Sequence, residues 1–312
     1  ISIMKTTLLF LSVFLSANLF GQNVYIPDAN FKAYLVGNNA LGINTNGDNE
    51  IQVSEASVFD GVLYCQSMGI SDLTGIEAFT ALTRLHCGYN QLTSLDVSQN
   101  TALTALTCNS TQLTSLDVSQ NTALEQLTCK NNQLTSLDVS QNTALTYLLC
   151  DNNQLTSLDV SQNTALEQLT CYSNQLTNLD VSQNTALTTL FCDNNQLTSL
   201  DVSQNTALAY LWCNDNQLTC LNVANGNNKN ITEFNVDENP NLTCIEVDNY
   251  IWATSNLSGQ VEPQTSFSED CNNDCSSTSS LTELSTSKNL IQILDMMGRE
   301  TSFKPNTPLI YV

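Results

Sequence analysis

The stretch ALEQLTCKNNQLTSLDVSQNT, residues 123–143, decides the fold, because nearly the same 21 residues occur six times between Ala81 and Thr206. A seventh, degraded copy begins at Ala207. A fixed period of this kind is typical of a solenoid, in which each coil buries its apolar residues against its neighbours. The repeats therefore predict one continuous stack of coils.

Each unit has two short alternating apolar stretches. In the first copy these are Leu85 with Cys87, and Leu95 with Val97, with Asn90 at the turn between them. Alternation with period two predicts strands with one buried face. The positions resemble the leucine-rich repeat pattern LxxLxLxxNxL. That resemblance implies a mainly β leucine-rich repeat solenoid, a right-handed coil with a parallel concave sheet, short convex strands and a helical N-terminal cap.

The turn asparagine of a leucine-rich repeat satisfies backbone groups of its own coil and of the adjacent one. Here it recurs in later copies as Asn132, Asn153, Asn174, Asn195 and Asn216. Thr111 replaces it in the second copy, so we expect that coil to be the loosest.

Composition limits the partners. The chain has 312 residues, 41% of them hydrophobic, and a net charge of −22. That content supports a long core, and the acidic balance argues against nucleic acid. Six aspartates recur one per coil, at Asp96, Asp117, Asp138, Asp159, Asp180 and Asp201. Either neighbouring hydroxyls and water absorb their mutual repulsion or cations do, and a solvated coat is the simpler interpretation.

The ends of the chain predict export. Residues 1–22, with a start at Met4 and an apolar run from Leu8 to Phe20, read as a secretory signal peptide. That run is short for a membrane span, and we expect no transmembrane segment elsewhere. Residues 23–58 are predicted as an N-terminal cap, whose helix covers Ile26 to Val36 and has Phe31, Leu35 and Val36 on its apolar face.

The cap continues into NTNGDNEIQVSE, Asn44 to Glu55, which resembles the calcium loop of an EF-hand. The resemblance implies a weak calcium site with Asn49 in place of the usual glycine. The alternative is an Asn/Gly-rich turn without metal, and no other cofactor is expected. The predicted ligands are Asn44, Asn46, Asp48, Glu50 and Glu55.

Twelve cysteines fall into two groups. Parallel strands hold equivalent side chains about 4.8 Å apart and pointing the same way, which suits neither disulfides nor a zinc site. We therefore predict an inward ladder of reduced thiols at Cys65, Cys87, Cys108, Cys129, Cys150, Cys171, Cys192 and Cys213. Four others, Cys220, Cys244, Cys271 and Cys275, are disulfide candidates with three open pairings.

The repeats are predicted over residues 59–248, a C-terminal cap over 249–275 and a linker over 276–282. Residues 283–312 include Lys288-Asn289-Leu290, Met297 to Glu300 and Lys304-Pro305-Asn306. They resemble, in incomplete form, the type A C-terminal sorting domain of the type IX secretion system, and the whole layout resembles secreted leucine-rich repeat proteins of Bacteroidetes. The resemblance implies the type IX machinery as a partner, and secretion or display at the outer cell surface.

Comparison of the repeats with one another points to function. Variation concentrates on the outward residues of the first strand and the two residues after its cysteine, while Thr93, Ser94, Asp96 and their equivalents hardly change. Neutral drift would scatter both sides alike. We therefore predict a ligand-binding concave face comprising Arg84, His86, Tyr147, Leu149, Phe191, Tyr210 and Trp212.

The chemistry of the chain favours binding over catalysis. His86 is the only histidine, and no nucleophile–base pairing or phosphate-binding loop accompanies it, so no catalytic residues are predicted. The predicted function is that of a non-enzymatic adhesion or recognition protein that binds a protein or a glycan. The alternative is a surface spacer or coat protein that has no specific ligand.

Overall fold

The computed structural model describes residues 21–272, Cys275, and the backbone of strands Ile293–Asp295 and Leu309–Tyr311. The chain divides into two compact units, Ile1–Ser277 and Thr278–Val312. In the second unit the two described strands pair antiparallel. The predicted signal peptide, except its last two residues, the linker and the rest of the predicted sorting domain lie outside the described residues.

The first unit begins with the predicted helical cap. Helix α1 (Ala29–Gly37) starts at Asp28, whose carboxylate accepts hydrogen bonds from the backbone N–H groups of Asn30 and Phe31 at 2.9 Å. Phe31 and Leu35 are buried, and a short helix α2 (Val53–Ala56) follows. The cap thereby covers the edge of the first coil.

A nine-stranded parallel sheet, the long sheet, runs through the stack with one strand per coil. Equivalent residues pair in register, for example Leu85 with Leu106. This confirms the predicted leucine-rich repeat solenoid. The strands in order are β1 (Val62–Tyr64), β2 (Arg84–His86), β3 (Ala105–Thr107), β4 (Gln126–Thr128), β5 (Tyr147–Leu149), β6 (Gln168–Thr170), β7 (Thr189–Phe191), β9 (Tyr210–Trp212) and β11 (Glu233–Asn235).

A second, short sheet forms in the C-terminal coils, whereas in the described earlier coils this side has an isolated parallel bridge between Asp96 and Asp117. Its strands are β8 (Ser199–Asp201), β10 (Cys220–Asn222), β12 (Cys244–Glu246) and β13 (Ser266–Ser268). The prediction of a second strand in every coil was therefore wrong for the earlier coils. The predicted alternation of buried and exposed side chains is confirmed there, since Val97 is buried and Asp96 is exposed. In earlier coils a side-chain amide links this side, as when Asn121 donates to the carbonyls of Val97 and Asn100.

Two asparagine ladders hold the coils together. In the predicted ladder, Asn153 donates to the carbonyls of Cys129 and Cys150 and accepts from the N–H of Leu134. The second ladder lies in the segment SQNT and consists of fully buried Asn100, Asn121, Asn142, Asn163, Asn184 and Asn205. Both ladders supply donors to buried carbonyls, which would otherwise destabilise the stack.

The C-terminal cap contains helix α3 (Tyr250–Asn256) and two disulfides. Cys220 pairs with Cys275 and Cys244 with Cys271. All four candidates are therefore used, and both bridges join the end of the cap to strands of the short sheet.

Candidate functional site

The variable face consists of the outward side chains of the long sheet and of the residue after each ladder cysteine. Register pairing brings the predicted residues into rows: Tyr147 lies beside Gln168, Thr189 beside Tyr210, and Phe191 beside Trp212. Neighbouring strands lie about 4.8 Å apart, so adjacent coils can contact one ligand together.

The C-terminal half of this face is aromatic. The rings of Phe191 and Trp212 are stacked, with centroids 4.6 Å apart and planes 26° from parallel. Trp212 is 38% exposed and Tyr210 39% exposed. Large apolar side chains left at the surface of a rigid sheet suit a docking surface.

The N-terminal half carries a different pair. The ring of His86 stacks on that of Tyr64, 4.8 Å away and 8° from parallel, and its Nδ1 lies 3.0 Å from the Thr107 hydroxyl. Partial burial and the charge of Arg84 lower the pKa of His86, so the imidazole is neutral at pH 7. Sequence reasoning missed Tyr64 because it precedes the regular repeats. Its strand, Val-Leu-Tyr followed by Cys65, matches the xLxC pattern and would have revealed it.

The side chain of the residue after each ladder cysteine is buried in some coils. This position varies among the repeats as the outward strand positions do, yet Asp151 and Asp193 are buried there. Asp151 accepts from the Thr170 hydroxyl at 2.9 Å and from the Asn152 amide at 3.1 Å. Asp193 accepts from the Asn194 amide at 3.0 Å, while its buried Oδ1 has no hydrogen-bond donor.

The residue that follows has the same backbone conformation whether or not the position after the cysteine is buried, since Lys130 and Tyr172 are only half-buried there. It adopts a left-handed backbone in every coil, for example at Asn152 with φ 53° and Asn194 with φ 53°. The chain therefore turns sharply beside the carboxyl. Burial raises the pKa of Asp193 most strongly, and the nearby charges of Asp215 and Asp151 raise it further.

Charge is distributed unevenly along the variable face. Arg84 and Lys130 lie in its N-terminal half, but the chain contains no lysine or arginine between Lys130 and Lys229. Exposed Glu233 lies beside Tyr210 across β9 and β11. The aromatic half thus has a carboxylate beside it, and residues 131–228 supply no lysine or arginine.

The uniform side of the solenoid carries the aspartate ladder. Each Asp accepts from the N–H of the serine two residues later, as Asp138 does from Ser140 at 2.9 Å. That bond lowers the pKa of Asp138, so this carboxyl stays ionised at neutral pH. The hydrogen bonds to these aspartates come from serine N–H groups, so the role of hydroxyls with water, or of cations, in offsetting the repulsion stays a prediction.

The calcium-like loop is closed by its own hydrogen bonds. Glu55 accepts from the N–H and hydroxyl of Thr45 at 2.7 Å and from the N–H of Gln52 at 3.0 Å. Asp48 accepts from the N–H of Glu50, and Glu50 pairs with Lys32 at 2.6 Å. Calcium would have to compete with these partners, so its binding here stays a prediction.

The two remaining ligands of the loop also form internal bonds. Asn44 accepts from the N–H of Gly47 at 2.9 Å, and Asn46 accepts from the N–H of Asp48 at 2.8 Å. Over the described part of the chain, no three histidine, cysteine or carboxylate side chains converge where they could hold a metal ion.

The ladder cysteines are free thiols, and all eight are buried, as the parallel geometry predicts. Burial raises the pKa of Cys65 to about 12 and raises those of the others well above the ordinary value. The thiols are therefore protonated and inert at neutral pH. Among the described residues, none of the helices is both long and apolar enough to cross a membrane.

The repeat pattern and fold define a leucine-rich repeat domain. Residues 50–163 match the model of the Endo-beta-N-acetylglucosaminidase EndoS LRR domain. Internalin J of Listeria monocytogenes serotype 4b (strain F2365) is 40% identical over 78 residues, which are 25% of this chain and 8% of that protein.

Solved structures show the same similarity. The functional domain of InlJ from Listeria monocytogenes, which includes a cysteine ladder, has a TM-score of 0.55 and 35% identity, covering 79% of this chain and 60% of that one. Internalin C2 (inlC2) from strain 4b F2365 has a TM-score of 0.59 at 21% identity, covering 73% and 98% respectively, and shows the fold alone. The chain therefore spans less than two thirds of both internalin J sequences that it matches.

Proposed function

We propose that this protein is a non-enzymatic binding protein that holds a protein or glycan partner on its variable face. One observation carries the proposal: the repeats differ from one another on that face and are nearly uniform elsewhere. The differing residues include exposed Tyr147, Tyr210 and Trp212, which could bury against a partner. The leucine-rich repeat fold is a scaffold of the protein-interaction type, which is consistent with this role.

The alternative is a structural spacer, whose repeats supply length without a specific ligand. Both proposals require the same solenoid, so the fold does not separate them. They differ in whether the variable face has a partner. A spacer tolerates any outward residue that leaves the coils intact, whereas a binding face depends on particular side chains.

A capture experiment separates the two. The fragment 23–275 would be screened by pull-down and on a glycan array, beside Tyr210→Ala with Trp212→Ala. The matched control is Thr135→Ala with Ser136→Ala, which changes exposed residues of the uniform side. Binding predicts capture that the aromatic variant loses and the control keeps. A spacer predicts no specific capture, or equal capture by all three.

We further propose that the protein is exported and acts at the cell surface or after secretion. The resemblance of residues 283–312 to a type IX sorting domain supports this, and so does the pairing of four cysteines in disulfides, which persist in oxidising compartments. Deleting residues 281–312 from the gene should leave the protein in the periplasm with its repeats folded. Surface labelling of source cells that found equal display with and without the segment would contradict this.

A further inference from the structure

The C-terminal half of the variable face combines exposed aromatic rings with uncompensated negative charge. Phe191 and Trp212 are stacked, and Tyr210 lies exposed on the same strand as Trp212. Glu233 is exposed on the neighbouring strand, directly beside Tyr210. Rings with carboxylates close by attract a cation through both the ring quadrupole and charge.

Two further carboxylates, buried Asp193 and exposed Asp215, add negative charge close to these strands. Asp193 follows Cys192 immediately after the Phe191 strand, and its Oδ1 has no hydrogen-bond donor. Asp215, two residues after Cys213, lies close enough to act on Asp193 through its charge. A positive group placed over the rings would offset this local repulsion without needing to enter the core.

The protein does not supply that positive group from these coils. Lys130 and Lys229 enclose a stretch of 98 residues, 131–228, that contains eight acidic and no basic residues. Among the described residues the ion pair that forms is Lys32 with Glu50, in the cap. The negative charge on this half of the variable face is therefore available to attract a positively charged partner.

Resting on the proposed function, we infer that the partner is a protein segment that places an arginine or lysine side chain against the Phe191–Trp212 pair, among the carboxylates of Asp193, Asp215 and Glu233. An anionic glycan would be repelled by these groups. A neutral glycan could stack on the rings but would gain nothing from the charge. A guanidinium satisfies both features, because it stacks on aromatic faces and pairs with carboxylates.

The test titrates the full chain carrying Trp252→Phe, so that Trp212 is the only tryptophan. The probes are an oligo-arginine peptide, an oligo-glutamate peptide of equal length and a neutral oligosaccharide. The inference predicts a saturable change in Trp212 fluorescence with oligo-arginine alone. A response to the oligosaccharide with none to oligo-arginine would overturn the inference and leave the proposed function standing.

Variants then locate the contact. By calorimetry, Tyr210→Ala with Glu233→Gln should weaken oligo-arginine binding at least about tenfold. A control on the aspartate ladder, Asp138→Asn with Asp159→Asn, removes two negative charges where the test variant removes one, and it should still change binding by less than about twofold, as expected for distant screened charges. Equal weakening by both pairs would overturn the inference, because bulk charge would then explain binding. Absence of any probe binding would also overturn it, while capture of a partner by fragment 23–275 would still support the proposed function.

Discussion

The ring of Trp212 stacks on the ring of Phe191 across neighbouring strands, with their centroids 4.6 Å apart. Beneath them Leu190 and Leu211 pair in register within the core. The two rings are therefore held by a backbone that cannot shift without disturbing the buried ladder. A rigid aromatic pair of this kind loses little conformational freedom when a partner binds. The entropic cost of binding is therefore small, which favours affinity.

Replacing Thr111 by Asn should stabilise the protein. Thr111 has one hydroxyl proton to share between the Cys108 carbonyl and Oδ1 of Asn132 in the next coil, and it has no amide to reach the preceding coil. An asparagine would donate to two carbonyls, as Asn132 does to Cys108 and Cys129. We expect a gain of about 1 kcal/mol in the free energy of unfolding. Denaturant titration measures it, with the reverse change Asn132→Thr as the matched control, which should destabilise. No gain from the first with no loss from the second would contradict the ladder argument.

The ladder thiols should resist modification in the folded protein. They are buried with raised pKa values, so neither access nor thiolate is available near pH 7. Alkylation followed by mass spectrometry should label no ladder cysteine natively and all eight after denaturation. A disulfide between Cys108 and Cys129 would show that the ladder geometry is wrong.

Replacing Asp193 by Asn should stabilise the folded state at neutral pH. Asn is the residue at the equivalent positions Asn109 and Asn214, so the coil accommodates it. Because the pKa of Asp193 is higher in the folded than in the unfolded state, the native state holds the proton more tightly, and the parent loses stability as pH rises through the range between the two values.

The variant should therefore gain on the order of 1 kcal/mol near pH 7, the scale of an unsatisfied buried group. The gain in the free energy of unfolding should shrink at pH values below the raised pKa of Asp193, where the carboxyl of the parent protein is neutral. Thermal melts of both proteins across this pH range test the difference. A gain that stayed constant with pH would rule out the buried charge as its cause.

Calcium should raise the melting temperature of the cap if the loop from Asn44 to Glu55 binds it. The gain is expected at millimolar calcium, because the loop offers few free carboxylates. Glu55 also caps the turn without metal, so the informative quantity is the calcium-induced shift within each variant. That shift should vanish in Asp48→Ala with Glu55→Ala. An equal shift in parent and variant would point to the aspartate ladder, and no shift in either would leave the loop as a turn.

The sequence alone predicted the solenoid because the residues that define each coil recur at a fixed interval. Leu85, Cys87 and Asn90 recur every 21 residues, and alternation assigned their inward side. The role of Asn100 was missed because SQNT looks like an ordinary turn, although an asparagine that never varies at a turn was a usable signal. A second strand was predicted in every coil because alternation of apolar and polar residues indicates which side chains are buried. It does not indicate whether backbone hydrogen bonds or side-chain amides join one coil to the next.

The candidate site was predictable in part. The variable rows followed from comparing repeats, so Phe191 and Trp212 were found before their stacking was known. Burial of Asp193 could not be found in this way, because the equivalent positions Lys130 and Tyr172 are only half-buried although the same left-handed residue follows them. Disulfide pairing depends on the fold, since four cysteines allow three pairings and only spatial proximity selects Cys220 with Cys275.

The central claim is that the variable face, and not the length of the solenoid, provides the function. A blank-face variant tests it by giving five positions the residues that the second repeat carries there, Ala105 and Thr107. The changes are Tyr147→Ala, Leu149→Thr, Phe191→Thr, Tyr210→Ala and Trp212→Thr, which keep length, charge and coil number.

The decisive measurement is ligand capture by the blank-face variant relative to the parent, both taken as fragment 23–275 with circular dichroism confirming equal folding. Our account predicts that the parent captures a partner and that the folded blank-face variant does not. Full capture by the folded blank-face variant would contradict the account and favour a spacer.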